Sequence, residues 1–264
     1  MTYPKSSIAP PPYLDLRRWY YRYGYVALAR WLTRYHRTRM DAIEAYIPAG
    51  PCIYVTHHGA GYLNLDLAAA SYELAWRAWH ERRGPAIPLR IVASRDHMME
   101  RVIPGLRIVK RQLGLIDPSE RSCLAVLERG EQLLITPGGR REARPEARDY
   151  RLRWSGRYGF VRLALKAGAR IVPLAVVGGF EAYPGRSWGA LSLWSPLPLP
   201  VRLDIAIGTP VMAARCPEGA CGLEMVHDIH ERVWRATQSL YDDLLMRRTH
   251  GAVAESRTLQ ACEP

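Results

Sequence analysis

The stretch "YVTHHGAGYLNLDL", Tyr54 to Leu67, concentrates groups able to move protons. His57 and His58 close an apolar β-branched run, and a glycine-containing turn follows. Asn64 and Asp66 then open a second apolar run. In an α/β sheet, ligands bind beyond the C-terminal ends of the strands, which is where the two histidines fall. A histidine there, with a carboxylate from the next helix to orient it, has the chemistry of a general base for a hydroxyl. Adjacent histidines alone are more often ordinary polar residues, and only the nearby carboxylate and glycines give the stretch weight.

A second stretch, "LLITPGGRREARPEARDYRLRW", also follows a strand-like run. Gly138 and Gly139 let backbone approach a ligand closely and offer N–H groups to an anion or an oxyanion. Arg141 beside them suits paired hydrogen bonds to phosphate or carboxylate, with Glu142 as its structural partner. Lys110 and Arg111, in "GLRIVKRQLG", read either as further anion contacts or as a solvated basic edge.

The elements that position these residues alternate. "CIYVTH", "PLRIVAS", "EQLLITP", "ARIVPLAVVG" and "VRLDIAIG" read as short strands. Helical patterns lie between them: one begins near Asp66, one is "SERSCLAVLERG" with Ser119 as N-cap, and one is "RYGFVRLALKAG". A last helix spans about residues 222–248. This order predicts one α/β domain, a mostly parallel mixed sheet flanked by helices. Its expected extent is residues 46–248, followed by a flexible tail over 249–264. Before it, residues 1–45 read as an arm and an amphipathic helix. There Leu16, Trp19, Tyr20, Tyr23 and Ala27 share a face beside Arg17, Arg18 and Arg22, a pattern suited to a membrane surface.

At 264 residues with 48% hydrophobic content, the chain is long enough for one substantial core. The net charge of +12 is nearly all arginine, lysine occurring only at Lys5, Lys110 and Lys166. Arginine favours flat anionic partners, although an arginine-rich codon bias gives the same composition. No recognition helix, RNP-like strand or zinc spacing accompanies the charge, so nucleic acid is not an expected partner. Five cysteines without CxxC spacing fit a reducing compartment. No apolar run reaches signal-peptide or membrane-spanning length. The expected location is cytoplasmic, peripheral on the inner face of a membrane. "GRSWGALSLWSPLPLPV" adds Trp188, Leu191, Leu193 and Trp194 on an apparent loop, suited to membrane contact or to a lid on the core.

Taken in order, "VTHHGAGYLNLD", "IPGLRIVKRQLGLI", "LLITPGGRREA", "YRLRWSGRYGFVRLALKAGA" and "RIVPLAVVG" resemble the glycerolipid acyltransferase superfamily. The likeness is greatest to the PGG-x-REA branch related to diacylglycerol and phytyl-ester acyltransferases, and it covers about residues 45–210. Pro137 to Ala143, followed by Tyr150, Leu152 and Trp154, is its most specific part. The resemblance implies transfer of an acyl group from a thioester, acyl-CoA or acyl carrier protein, to a lipid hydroxyl, with no metal or organic cofactor. It implies His58 as base and Asp66 as its orienting carboxylate, with His57 and Asn64 as alternates. The departure is the first block: the superfamily pattern is His-x4-Asp, but five residues after His58 stands Leu63, with Asn64 at six and Asp66 at eight. The acceptor and the oligomeric state are not readable. Two rival readings remain. One is a serine esterase on Gly185-Arg-Ser187-Trp-Gly189 with Asp204 and His227, which Pro184 and the prolines after Ser187 oppose. The other is a non-catalytic lipid-binding module.

Overall fold

The computed structural model describes residues 27, 30–41, 50–59, 65–74, 89–93, 114–142, 148–183, 198–216 and 222–261. Seven strands form one sheet in the order β1-β7-β6-β2-β5-β3-β4. These are β1 (Arg39–Asp41), β2 (Cys52–Val55), β3 (Leu89–Val92), β4 (Leu115–Ile116), β5 (Gln132–Ile135), β6 (Arg170–Val177) and β7 (Asp204–Ile207). All neighbours run parallel except β6 and β7. The helices are α1 (Leu65–Tyr72), α2 (Glu120–Glu128), α3 (Gly159–Ala167), the short α4 (Gly179–Ala182) and α5 (Leu223–Ala261). This is the single-domain α/β architecture that the alternating pattern predicts.

Each of the five expected strands is present. β2 and β7 are buried at every position, because helices cover both faces of a parallel sheet. Pro173 lies inside β6, where a missing N–H would normally break a ladder. It stands opposite Val55, the last residue of β2, so the gap falls where that strand already leaves the sheet for His57.

Helix boundaries follow local chemistry. Ser119 is extended (φ −92°, ψ 143°), and its hydroxyl accepts from the Ser122 amide at 3.3 Å to start α2. Gly168 adopts φ +65° and ends α3, a conformation that only glycine takes without strain. Ser119→Ala is expected to destabilise the domain by about 1 kcal/mol. Thermal unfolding would register that as a Tm lower by roughly 2–4 °C.

Three features differ from the sequence reading. β1 pairs with β7 although it belongs to the stretch read as an arm, since a three-residue strand carries no readable alternation. α5 continues past Thr249 to Ala261, where a loose tail was expected. Cys216 is disulfide-bonded, its partner outside the described residues, whereas Cys52 and Cys123 are buried free thiols. The interfacial helix face at Leu16–Ala27 and the tryptophan-bearing loop around Trp188 lie outside the described residues, apart from Ala27, which is helical and exposed. Among the described residues no helix is long and apolar enough to cross a membrane.

Candidate active site

Parallel pairing decides which segments meet. Val55 is in register with Ile135, so β2 and β5 end side by side at the same edge of the sheet. β2 delivers His57 and His58 there, and β5 delivers Thr136, Pro137 and the glycine pair. β6 runs parallel to β2 and continues beyond it, bringing Gly178, Gly179 and Glu181 to the same edge.

The two histidines have opposite environments. His57 is 1% exposed and sits among the rings of Phe180, Tyr241 and Tyr150, with centroids 5.5, 5.8 and 6.0 Å away. Burial, reinforced by the nearby His58 and Arg153, lowers its pKa to about 3, so it stays neutral at physiological pH. His58 is partly exposed, and its Nδ1 lies 2.9 Å from the Gly59 carbonyl. A carbonyl only accepts, so Nδ1 carries the proton in the neutral ring and the basic lone pair is on Nε2.

Both histidine amides are held by distant side chains. The His57 amide donates to the Tyr241 hydroxyl on α5 at 3.2 Å. That hydroxyl also accepts from the Val176 amide (3.3 Å) and shares a hydrogen bond with Thr56 Oγ1 (2.9 Å). The His58 amide donates to Glu142 Oε2 at 3.0 Å.

Asp66, in the first turn of α1, is 1% exposed. Its carboxyl is clasped between two glycines: a Cβ on Gly59 would fall 1.7 Å from Oδ2, and one on Gly179 would fall 1.7 Å from Oδ1. Burial, with Glu181 adding and Arg248 opposing, raises its pKa to about 8. Among the described residues neither oxygen has a hydrogen-bond partner. The bond expected from Asp66 to His58 is therefore not made. The Gly59 carbonyl fixes the imidazole instead, and Asp66 packs against that same glycine.

The glycine-pair segment also departs from expectation. The Gly139 amide donates to Thr136 O at 3.0 Å, closing a turn, so it is not aimed at an oxyanion. Gly139 takes φ +53° at the start of a 3-10 turn over Gly139–Arg141. Arg141 is exposed, whereas Glu142 is fully buried and does not serve as its partner. Gly138 makes that burial possible, since a Cβ there would lie 2.1 Å from the Glu142 carboxyl carbon.

Asn64, Lys110, Arg111 and Ser187 lie outside the described residues. Of the rival triad, Asp204 binds Arg202 and Arg248 at 3.0 and 3.1 Å. His227 lies beside the Tyr158 ring. Among the described residues no three His, Cys, Asp or Glu side chains gather to hold a metal.

Sequence reasoning missed the support residues. Tyr150 adopts φ +55°, unusual for a bulky side chain. Its hydroxyl donates to Glu181 Oε2 at 2.6 Å and accepts from the Gly178 amide at 2.9 Å, while its ring stacks on Tyr241 at 5.6 Å. The spacing of Tyr150, Leu152 and Trp154 was the available signal, because all three are buried. Tyr241 lay in the apolar stripe of α5 between Leu240 and Leu244, where an aromatic reads as core.

The diacylglycerol acyltransferase family profile matches residues 97–187. A chicken (Gallus gallus) protein described as a DGAT1/2-independent enzyme synthesizing storage lipids is 30% identical over 159 residues. That match covers 60% of this chain and 44% of the chicken protein. Chloroplastic phytyl ester synthase 2 of Arabidopsis thaliana is 31% identical over 143 residues, which is 53% of this chain and 20% of that protein. The chain is thus similar to glycerolipid acyltransferases. Its fold matches that of the 1-acyl-sn-glycerophosphate acyltransferase PlsC from Thermotoga maritima at a TM-score of 0.51 and 16% identity, covering 83% of this chain and 80% of that one. The chain spans less than half the length of either the chicken or the Arabidopsis relative.

Proposed function

We propose that the chain is an O-acyltransferase that moves a fatty acyl group from an acyl thioester, acyl-CoA or acyl carrier protein, to the hydroxyl of a glycerolipid or lipid alcohol. The observation that carries this reading is His58: a partly exposed imidazole at the C-terminal edge of a parallel sheet, with Nδ1 donating to Gly59 O and the basic lone pair on Nε2. In the proposed step Nε2 takes the proton of the acceptor hydroxyl as its oxygen attacks the thioester carbonyl. The tetrahedral intermediate then expels the thiolate, which receives that proton from the imidazolium. Asp66 backs the Gly59 peptide on which Nδ1–H rests. The exposed Arg141 is the proposed contact for an anionic portion of donor or acceptor. Work at the membrane surface is proposed from the arginine, tryptophan and tyrosine pattern before residue 28.

A thiol-release assay tests the reading. Purified protein in detergent or liposomes would receive palmitoyl-CoA and lysophosphatidate, lysophosphatidylcholine, monoacylglycerol, diacylglycerol or a long-chain alcohol. Acceptor-dependent release with a new ester is expected, falling roughly 10²- to 10⁴-fold in His58→Ala, the range for a lost general base. Because His58 is partly exposed, that variant is expected to unfold close to the wild-type temperature. Acceptor-independent release would point to hydrolysis and return attention to Ser187. Silence with every acceptor, repeated with palmitoyl-acyl carrier protein, would overturn the enzymatic reading in favour of a lipid-binding module.

A further inference from the structure

We propose that Glu142 is a positioning residue: its carboxylate ties the His58 backbone to the segment carrying Tyr150, Leu152 and Trp154, and so sets where the imidazole stands. The proposal rests on the acyl-transfer reading for its kinetic test, although its geometry stands apart from it. The Glu142 carboxylate accepts two amides from separate parts of the chain. Oε2 takes the His58 amide at 3.0 Å, and Oε1 takes the Arg153 amide at 2.8 Å. Backbone separations of 84 and 11 residues are thereby spanned by one planar group.

The segment on the far side is itself anchored. The Leu152 amide donates to Gln238 Oε1 at 3.0 Å, and Trp234 Nε1 donates to the Leu152 carbonyl at 3.3 Å, both from α5. Arg153 reaches back to both Asp149 oxygens at 3.1 and 3.2 Å, which fixes its backbone further. A rigid frame therefore runs from α5 through residues 149–153 and Glu142 to His58. This accounts for the PGG-x-RE pattern: Gly138 admits the carboxyl and Glu142 works inward, through backbone.

The chemistry makes the anionic form necessary. A carboxylate accepts at both oxygens, whereas glutamine accepts at one and would turn an NH₂ toward an amide N–H. Burial raises the Glu142 pKa to about 7, against the pull of the Arg153 and His58 amides, the Trp154 side chain and the Arg153 charge. Arg153 and His58 are the titratable or charged groups facing it. Protonation near neutrality leaves one amide without its acceptor, so the tether is made above pH 7 and weakens below.

The experiment compares wild type with Glu142→Gln in the full chain. Hydrogen exchange at the His58 and Arg153 amides is followed from pH 5.5 to 8.5, corrected for intrinsic rates. The wild type is expected to lose protection at one of these two amides as pH falls through 7, while Glu142→Gln lacks protection at one of them throughout and the sheet amides hold. With palmitoyl-CoA and an accepted lipid, kcat in Glu142→Gln should fall on the order of 100-fold, the effect of misplacing a reacting group by about 1 Å, with KM nearly unchanged. Unchanged kcat, or protection at the two amides that ignores pH, would overturn the proposal. If Glu142→Gln does not fold, the wild-type pH series still decides. Should the wild type transfer no acyl group, the reaction fails, and the exchange result still tests the tether.

Discussion

Asp66→Asn is expected to make the protein more stable, and increasingly so as pH rises. The folded-state pKa of Asp66 is raised to about 8 from 3.8, chiefly by burial. Below pH 4 both states hold the proton and the shift has no effect on stability. Between pH 4 and 8 the unfolded chain releases the proton while the folded one keeps it. Stability therefore falls with rising pH, by up to about 1.4 kcal/mol per unit, and levels off above 8. Glu142 adds a slope of the same sign up to about pH 7, but both proteins share it. Asparagine removes the Asp66 slope, so Tm should gain roughly 10–20 °C at pH 8.5 and only a few degrees at pH 4.5. On the proposed reading Asp66 serves the reaction, so turnover should fall as stability rises. A Tm difference between the two proteins that does not change with pH would show that Asp66 ionises freely in the folded chain.

Gly179→Ala should have the opposite effect on stability. The added methyl would overlap the Asp66 carboxyl at 1.7 Å, and Gly59 closes the other side at the same distance. Overpacking of this kind commonly costs about 1–3 kcal/mol and sometimes more, and the double clasp puts this site at the upper end. The signature is in the pair. Asp66→Ala removes the obstructing atoms, so Gly179→Ala should become nearly neutral in that background, with a coupling on the order of 2 kcal/mol. Additive losses in the double-mutant cycle would mean that Gly179 matters for the start of α4 and not for the clasp.

The scaffold was legible because the run lengths and caps of this chain agree. "CIYV", "QLLI" and "DIAI" are short, β-branched and bounded, and Ser119 and Gly168 mark helix ends by conformations that their side chains explain. β1 was hidden because three residues beside arginine-rich sequence carry no period. The candidate base was legible as a residue type at a strand end. Its surroundings were not. Which histidine is buried depends on Phe180, Tyr150 and Tyr241 closing over one of them, a three-body arrangement that no spacing within the chain encodes. Glu142 reads as an arginine's partner in one dimension. Only the parallel register of β2 and β5, Val55 beside Ile135, turns it toward the His58 amide.

The hydrogen bond from His57 to Tyr241 joins residues 184 positions apart. A ribosome adding about 5–20 residues per second needs roughly ten to forty seconds to cover that distance. Throughout that interval the histidine segment has emerged while the hydroxyl that holds it does not yet exist. On the proposed reading, turnover waits until the last helix has been made and has docked, and the nascent chain is inert until then.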